Sequence, residues 1–207
     1  MGTLINARNK LDGVKYHLHR MEQLYPNDIR SFKHEFEAFL VKARSVFDVI
    51  LEDFNEKFEL GIGLEEKLNA KVFEDRSKQL GKTEALEFIR WWKNKKNEIT
   101  SKPCFNSLFT KRNISVHRKI VGPDLQKIIG EEKISIPENV IVYVRRVDEK
   151  PINEIKSSEI TPKPTEQPLF KIGWYIKECT EDDVLTVCKK LLKLLIEFLE
   201  GAENKFN

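Results

Sequence analysis

The stretch that decides the fold is residues 29–58, IRSFKHEFEAFLVKARSVFDVILEDFNEKF. Its main apolar residues recur at alternating spacings of three and four, namely at Ile29, Phe32, Phe36, Phe39, Ala43, Val46, Ile50 and Phe54. This spacing places all of them on one stripe of an α-helix. A stripe of that length is typical of a helix in an antiparallel bundle, which keeps one apolar seam against its neighbours.

Apolar stripes with helical spacing also occur on both sides of this stretch. Pro26 ends the stripe that comes before it, and Asn27 or Asp28 can cap the long helix. Thr180 and Asp183 form a capping-box pattern ahead of a strongly apolar stripe near the end of the chain. Together the stripes predict helices at about 4–25, 28–58, 64–80, 83–99, 105–121 and 181–200.

The pattern changes to that of β-strands between the last two predicted helices. Ile134 and Ile136 alternate with polar residues, Val140–Val144 is rich in β-branched side chains, and apolar residues alternate again over 170–176. Residues 148–168 hold four prolines among charged and hydroxyl residues. That composition predicts a loop or a mobile flap.

A small β unit over 133–177 is therefore expected as an insertion ahead of the last helix. That helix cannot bury its apolar face alone, so we expect it to return to the N-terminal helices and complete one bundle. In a second arrangement, which the sequence leaves open, it covers the small sheet in a separate domain. The predicted fold class is mainly α: one domain over 1–207, built as an antiparallel helical bundle with a β insertion.

Composition excludes several classes of protein. The chain has 207 residues, and 40% of them are hydrophobic, which is too many for a disordered chain. No run approaches the roughly 18 apolar residues that a membrane span needs, so we expect a soluble protein. Cys104, Cys179 and Cys188 are odd in number and widely spaced. They argue against a disulfide framework or a zinc site, and favour small buried side chains in a reducing, cytoplasmic compartment.

Basic residues are concentrated in one segment of a chain whose net charge is only +3. From Arg90 to Lys119, nine basic residues stand against one acidic residue, with tryptophan and phenylalanine among them. Such a segment suits a phosphate backbone and stacked bases, although a solvated helix face with core aromatics has the same composition. The candidates for RNA binding are Lys93, Lys95, Lys96, Lys102, Lys111, Arg118 and Lys119.

The same segment contains RNISVH at residues 112–117, in which four residues separate an arginine from a histidine. With a polar residue directly after the arginine, this hexapeptide resembles the signature of the HEPN superfamily. These are small helical-bundle proteins, many of them metal-independent ribonucleases. The resemblance covers roughly residues 4–121 and 180–205, and leaves the β segment outside it as an insertion.

The resemblance implies an endoribonuclease that works as a symmetric homodimer and leaves a 2′,3′-cyclic phosphate end. It implies Arg112, Asn113 and His117 as the catalytic residues. HEPN proteins that a nucleotidyltransferase partner silences carry a tyrosine two residues after the histidine. Lys119 stands at that place here, so regulation by modification at this position is not implied.

The chemistry of these residue types supports the same interpretation. Histidine accepts or donates a proton near neutral pH, as the 2′-hydroxyl and the leaving oxygen of RNA require. Arginine offers a planar fork of donors that matches phosphate oxygens. Asn113 can bond the phosphate, or orient His117 from four residues earlier on the same face.

Helix geometry adds a constraint. On a straight helix Arg112 and His117 lie about 140° apart around the axis and about 7.5 Å along it. One chain thus presents the pair too widely for a compact site. Two motifs that face each other across a two-fold axis would bring two histidines and two arginines together.

Each candidate also has a purely structural interpretation. His117 can be a surface histidine, Arg112 a salt-bridge partner of a Glu-rich helix, and Asn113 a helix cap. Arg44 and Ser45 lie beside the apolar seam of the long helix. They are candidates for a supporting layer around the site, although an interhelical hydrogen bond also explains them.

Three functions fit the sequence. The leading one is a metal-independent endoribonuclease of a toxin or defence system, with RNA as substrate and an antitoxin or another protein as a further partner. The second is a catalytically inactive HEPN-like module that binds nucleic acid or a protein. The third is an unrelated helical DNA-associated protein that contacts only the backbone. We expect no metal and no cofactor, since the histidines lack ligand-spaced partners and no glycine-rich phosphate loop is present.

Overall fold

A computed structural model describes residues 4–63, 65–117, 122–123, 125–136, 140–151, 170–179 and 181–206. Within 114–117, 125–136, 140–151 and 170–172 the description covers the backbone alone. The mainly helical fold predicted from the sequence is confirmed. The predicted loop or flap over 148–168 lies largely outside the described residues.

Six helices are present in the described parts of the chain. They are α1 (Ile5–Leu24), α2 (Ile29–Lys57), α3 (Ala70–Gln79), α4 (Thr83–Thr100), α5 (Pro103–His117) and α6 (Val184–Phe206). None of these helices combines the length and the apolar character that crossing a membrane requires.

Local capping explains where several helices begin. The Asp28 carboxylate accepts a hydrogen bond from the backbone N–H of Ser31, so Asp28 caps α2 as one of the two predicted candidates. Helix α3 begins six residues later than predicted, because Asn69 caps it through the N–H groups of the second and third residues. Asp183 caps α6 by accepting from the N–H of Thr186, so the predicted start at 181 is wrong.

A residue from another helix supplies the cap of α1. Leu4 stands at the cap position and has no side-chain acceptor. The Asp53 carboxylate on α2 accepts instead from the Asn6 amide at 2.8 Å and from the Ala7 N–H at 2.9 Å. Burial raises the pKa of Asp53, and these donors oppose that shift. The start of α1 is thereby fixed against the middle of the bundle.

The core is built around the aromatic seam of α2. The Phe54 ring stacks on Phe88 of α4, with 3.9 Å between the ring centroids. Phe73 of α3 lies 5.5 Å from Phe88, and Phe206 of α6 lies 6.2 Å from Phe54, again between centroids. Four helices therefore meet around one aromatic cluster.

The last helix packs on the earlier helices. Phe198 of α6 lies between Phe47 of α2 and Trp91 of α4, with both pairs of ring centroids 5.1 Å apart. Arg8 of α1 forms an ion pair with Glu203 of α6. Helix α6 thus returns to α1, α2 and α4, which is the first of the two arrangements considered above.

Three strands form an antiparallel sheet between α5 and α6: β1 (Leu125–Ile136), β2 (Val140–Pro151) and β3 (Phe170–Tyr175). β1 is central, so the order is β2-β1-β3. β1 pairs with β2 along its whole length and with β3 along its first half. β1 begins eight residues before the predicted insertion, and β2 reaches into the predicted loop. Strand pairing uses backbone hydrogen bonds, so the charged side chains in the added parts of β1 and β2 do not prevent it.

The sheet is joined to the bundle at the end of β3. The Trp174 ring makes an edge contact with Phe32 of α2, with 4.7 Å between centroids. The backbone N–H of Trp174 donates to the hydroxyl oxygen of Tyr25 at 3.1 Å. This end of the sheet therefore shares the core of the bundle.

A disulfide joins Cys104 in the first turn of α5 to Cys179 just before α6, with 5.4 Å between the Cα atoms. The expectation of three unpaired cysteines is wrong, because residues 75 apart in sequence meet in the fold. A hydrogen bond of 2.7 Å from the Ser107 hydroxyl to the Glu178 carboxylate lies beside it. Cys188 is free and buried, as predicted, and burial raises the pKa of its thiol. The cytoplasmic location stays a prediction. This bond argues against it, because disulfides are typical of oxidising compartments.

Candidate functional site

The RNISVH motif lies at the C-terminal end of α5. The described helix ends at His117, and Arg112 and Asn113 lie in its interior. Since Asn113 is an interior residue of the helix, its interpretation as a helix cap is wrong. Because one helix carries both Arg112 and His117, the angular separation expected from helix geometry applies to them.

Arg112 has an unusual hydrogen-bonding environment. Its Nη1 donates to the Oδ1 atom of Asn113 at 3.2 Å. Its Nε is buried and has no hydrogen-bond partner among the described residues. An unsatisfied buried donor typically costs about 1–3 kcal/mol. No carboxylate pairs with Arg112 in the described part of the chain, so the structure gives no support to a bundle salt bridge.

Arg44 of α2 reaches the same helix one turn earlier. Its guanidinium carbon lies 5.6 Å from the centroid of the Phe109 ring and 6.0 Å from that of Phe47. Phe109 precedes Arg112 by three residues, which is one turn of α5. Among the described residues, Arg44 thus joins α2 to α5 through aromatic rings and not through an interhelical hydrogen bond. The Ser45 hydroxyl donates to the Lys42 carbonyl oxygen of its own helix at 2.8 Å.

Lys96 of α4 also lies against Phe47. Its Nζ is 4.2 Å from the centroid of the Trp92 ring and 5.6 Å from that of Phe47. The Trp92 Nε1 donates to the Phe47 carbonyl oxygen at 3.2 Å, which fixes the ring beneath the amine. Burial, followed by the charge of Arg44, lowers the pKa of Lys96 to about 8, and Asp48 opposes the shift.

We call Arg44, Lys96 and Arg112 the cation cluster. Arg44 and Lys96 both border Phe47, whose ring makes an edge contact with Phe109 at 6.0 Å between centroids. All three cations are half-buried. None of them forms an ion pair with a carboxylate among the described residues, and Asp48 acts on Lys96 only from a greater distance. Such an arrangement suits an anion, since an added negative charge would offset the repulsion between partly desolvated cations.

The other predicted RNA-binding residues do not join this cluster. Lys93 forms an ion pair with Glu74 of α3, and Lys95 pairs with Glu98 at 2.7 Å. Lys102 lies against the Phe105 ring at the start of α5. Lys111 is half-buried and has interactions of its own. Arg118 and Lys119 lie outside the described residues.

In the sequence Lys96 is one of seven basic candidates. Trp92 stands four residues before it and therefore on the same helix face. Lys95 has Trp91 at the same spacing, so this local feature does not single out Lys96. The partner of Lys93 lies on another helix and likewise gives no sign in the local sequence.

No group of three or more histidine, cysteine or acidic side chains in the described parts of the chain is arranged to hold a metal ion. No family model, curated protein or solved structure matches the chain.

Proposed function

We propose that the protein is an endoribonuclease of the HEPN type that needs no metal ion and acts as a homodimer. The observation that supports this most is the state of Arg112. Its guanidinium is half-buried, is oriented by Asn113, and has no carboxylate partner among the described residues. A phosphate oxygen can accept from the accessible part of this half-buried guanidinium, and Arg112 lies five residues from His117 on the same helix.

In the proposed reaction the 2′-oxygen of RNA attacks the adjacent phosphorus while the bond from phosphorus to the 5′-oxygen breaks. The His117 imidazole of one chain takes the 2′-hydroxyl proton, and the imidazolium of the other chain gives a proton to the leaving 5′-oxygen. Arg112 stabilises the charge that grows on the phosphoryl oxygens. Asn113 positions Arg112 through their hydrogen bond. The products are a 2′,3′-cyclic phosphate and a 5′-hydroxyl.

This activity suits a toxin or defence protein, and such a protein needs a partner that restrains it. An antitoxin or another protein is therefore proposed as a second partner, besides RNA. The cytoplasm is the proposed location, since most cellular RNA substrates are there.

A second candidate is a catalytically inactive module that binds nucleic acid. Arg44 and Lys96 favour it, because both sit on aromatic rings and can hold a phosphate without any contribution from His117. The two candidates differ in whether RNA is cut, not in whether it is bound.

Chelation of metal ions separates the proposal from metal-dependent cleavage. We expect the purified protein to cut a structured RNA at the same rate in excess EDTA as without it, because His117 and Arg112 supply the acid, the base and the positive charge. Gel electrophoresis measures the rate, and end analysis should find 2′,3′-cyclic phosphate. A DNA of the same sequence should stay intact, as it lacks the 2′-hydroxyl. Binding without cleavage would favour the second candidate. If the protein bound DNA as tightly as RNA, that result would favour the third function considered above, a DNA-associated protein.

Sedimentation tests the composite site. We expect a dimer at the concentration at which RNA is cut, because Arg112 and His117 of one chain lie about 140° apart around α5. Analytical ultracentrifugation with a dilution series measures the association, and cleavage per chain should fall as the dimer dissociates. An active protein that sediments as a strict monomer would contradict the two-fold site.

A further inference from the structure

Positive charges follow one another along the corner where α2, α4 and α5 meet. Lys96 lies against Phe47, and Arg44 lies between Phe47 and Phe109. Arg112 comes one turn after Phe109, and His117 ends the described helix. The cation cluster is therefore extended along the corner and does not surround a single point.

We propose that Arg44 and Lys96 form a phosphate subsite of their own, which binds a backbone phosphate that flanks the scissile one. This inference rests on the proposed function, because it takes Arg112 and His117 as the place of cleavage. It adds a requirement on the substrate: a strand with a phosphate beside the scissile one should bind more tightly than a dinucleotide.

The length of α5 supports two separate phosphate positions. Phe109, against which Arg44 lies, precedes His117 by eight residues, or about 12 Å along the axis at 1.5 Å per residue. This distance separates backbone positions, and Arg112 lies between them as part of the place of cleavage. A strand that lies along the corner would place one phosphate at Arg112 and His117 and another at Arg44 and Lys96.

The surroundings of Arg44 and Lys96 suit a phosphate. Each cation lies against the face of an aromatic ring, which holds it in place and shields it from water on one side. Arg44 offers a planar fork and Lys96 a point charge, and both are used to bind phosphates in proteins. No carboxylate pairs with either cation among the described residues, so a phosphate would displace no ion pair there.

The amine of Lys96 also gives the subsite a pH dependence. The charged groups that face it are Arg44 and Asp48, both from α2. Burial and Arg44 lower the pKa of Lys96 to about 8, so the amine is charged at pH 7 and mostly neutral at pH 9. Binding of RNA should therefore weaken as the pH rises through this range.

The test uses an RNA oligonucleotide with 2′-O-methyl groups, which cannot be cut, and measures its affinity by fluorescence anisotropy at several salt concentrations. We expect Lys96→Gln and Arg44→Gln each to lower the affinity about fivefold at 0.1 M salt and to reduce the slope of log affinity against log salt by about 0.7. Lys15→Gln is the matched control, since this exposed lysine pairs with Asp12 on α1, a helix that contributes no residue to the cluster. It should change neither quantity.

A conservative variant tests the charge itself. Lys96→Arg should keep the affinity at pH 7 and lose the weakening between pH 7 and pH 9, because an arginine stays charged throughout. Thermal denaturation of every variant should match that of the parent protein. Unchanged affinity and salt slope in both Lys96→Gln and Arg44→Gln would overturn the subsite.

Cleavage assays distinguish this inference from the proposed function. Lys96→Gln should raise KM for RNA and leave kcat unchanged, as expected for a contact remote from the reacting atoms. If the parent protein binds the methylated strand with these effects but cuts no RNA, the subsite stands and the proposed function fails. If the parent protein cuts RNA and Lys96→Gln leaves KM unchanged, the proposed function stands and the subsite fails.

Discussion

Alanine at position 117 is expected to reduce RNA cleavage by about 10²–10⁴-fold, the usual loss when a general acid or base is removed. His117→Ala removes both imidazoles of the proposed two-fold site, so neither the 2′-hydroxyl nor the leaving oxygen exchanges its proton with the protein. Single-turnover cleavage of a labelled RNA measures the effect. Affinity for the methylated oligonucleotide should stay close to that of the parent protein.

Arg112 provides the companion variant. Arg112→Lys keeps the charge but loses the planar fork, so we expect cleavage to fall far more than RNA binding does. Unchanged melting temperature and sedimentation are the controls for both variants. Cleavage by purified His117→Ala at the rate of the parent protein would refute the catalytic assignment.

Replacement of Phe54 is expected to have the largest effect on stability. Its ring is fully buried and lies within 6.2 Å, between centroids, of Phe58, Phe88 and Phe206. Phe54→Ala should lower the free energy of unfolding by about 3–5 kcal/mol, the usual cost of a buried phenylalanine and the cavity it leaves. The free energy of unfolding of a typical domain is roughly 5–15 kcal/mol, so this loss would be a large part of it.

Urea unfolding followed by circular dichroism measures this loss. Tyr16→Ala is the control on α1, since 60% of that side chain is exposed, and it should change stability by no more than about 0.5 kcal/mol. A loss below about 1 kcal/mol for Phe54→Ala would mean that the aromatic cluster does not hold the four helices together.

The sequence was sufficient wherever a local pattern determines the structure. The aromatic stripe of α2 and its Asp28 cap depend on residues a few positions apart, and both predictions agree with the fold. The start of α3 was missed because one side chain, Asn69, outweighed a weak apolar pattern. The β1 strand was missed in part because pairing with β2 and β3, and not its own composition, sets its length.

At the candidate site, too, the sequence predicts what is local and misses what depends on packing. The Arg112 and His117 motif is local and could be found, whereas the choice of Lys96 over Lys93 depends on which helices pack together. Glu74 neutralises Lys93 from 19 residues away, and Arg44 approaches α5 from a helix early in the chain. The disulfide between Cys104 and Cys179 is equally non-local. The HEPN resemblance stays a prediction that only the cleavage experiments can test.

The disulfide also determines how the chain is connected. Cys104 and Cys179 close the intervening chain into a covalent ring, and that ring contains nearly all of α5 together with the three strands. The RNISVH motif and the sheet thus belong to one closed loop, whose ends meet at the bundle. A single break in the backbone of the ring would leave α1–α4 linked to α6 through sulfur. A protease-nicked protein would therefore migrate as one species without reductant and as two fragments with it.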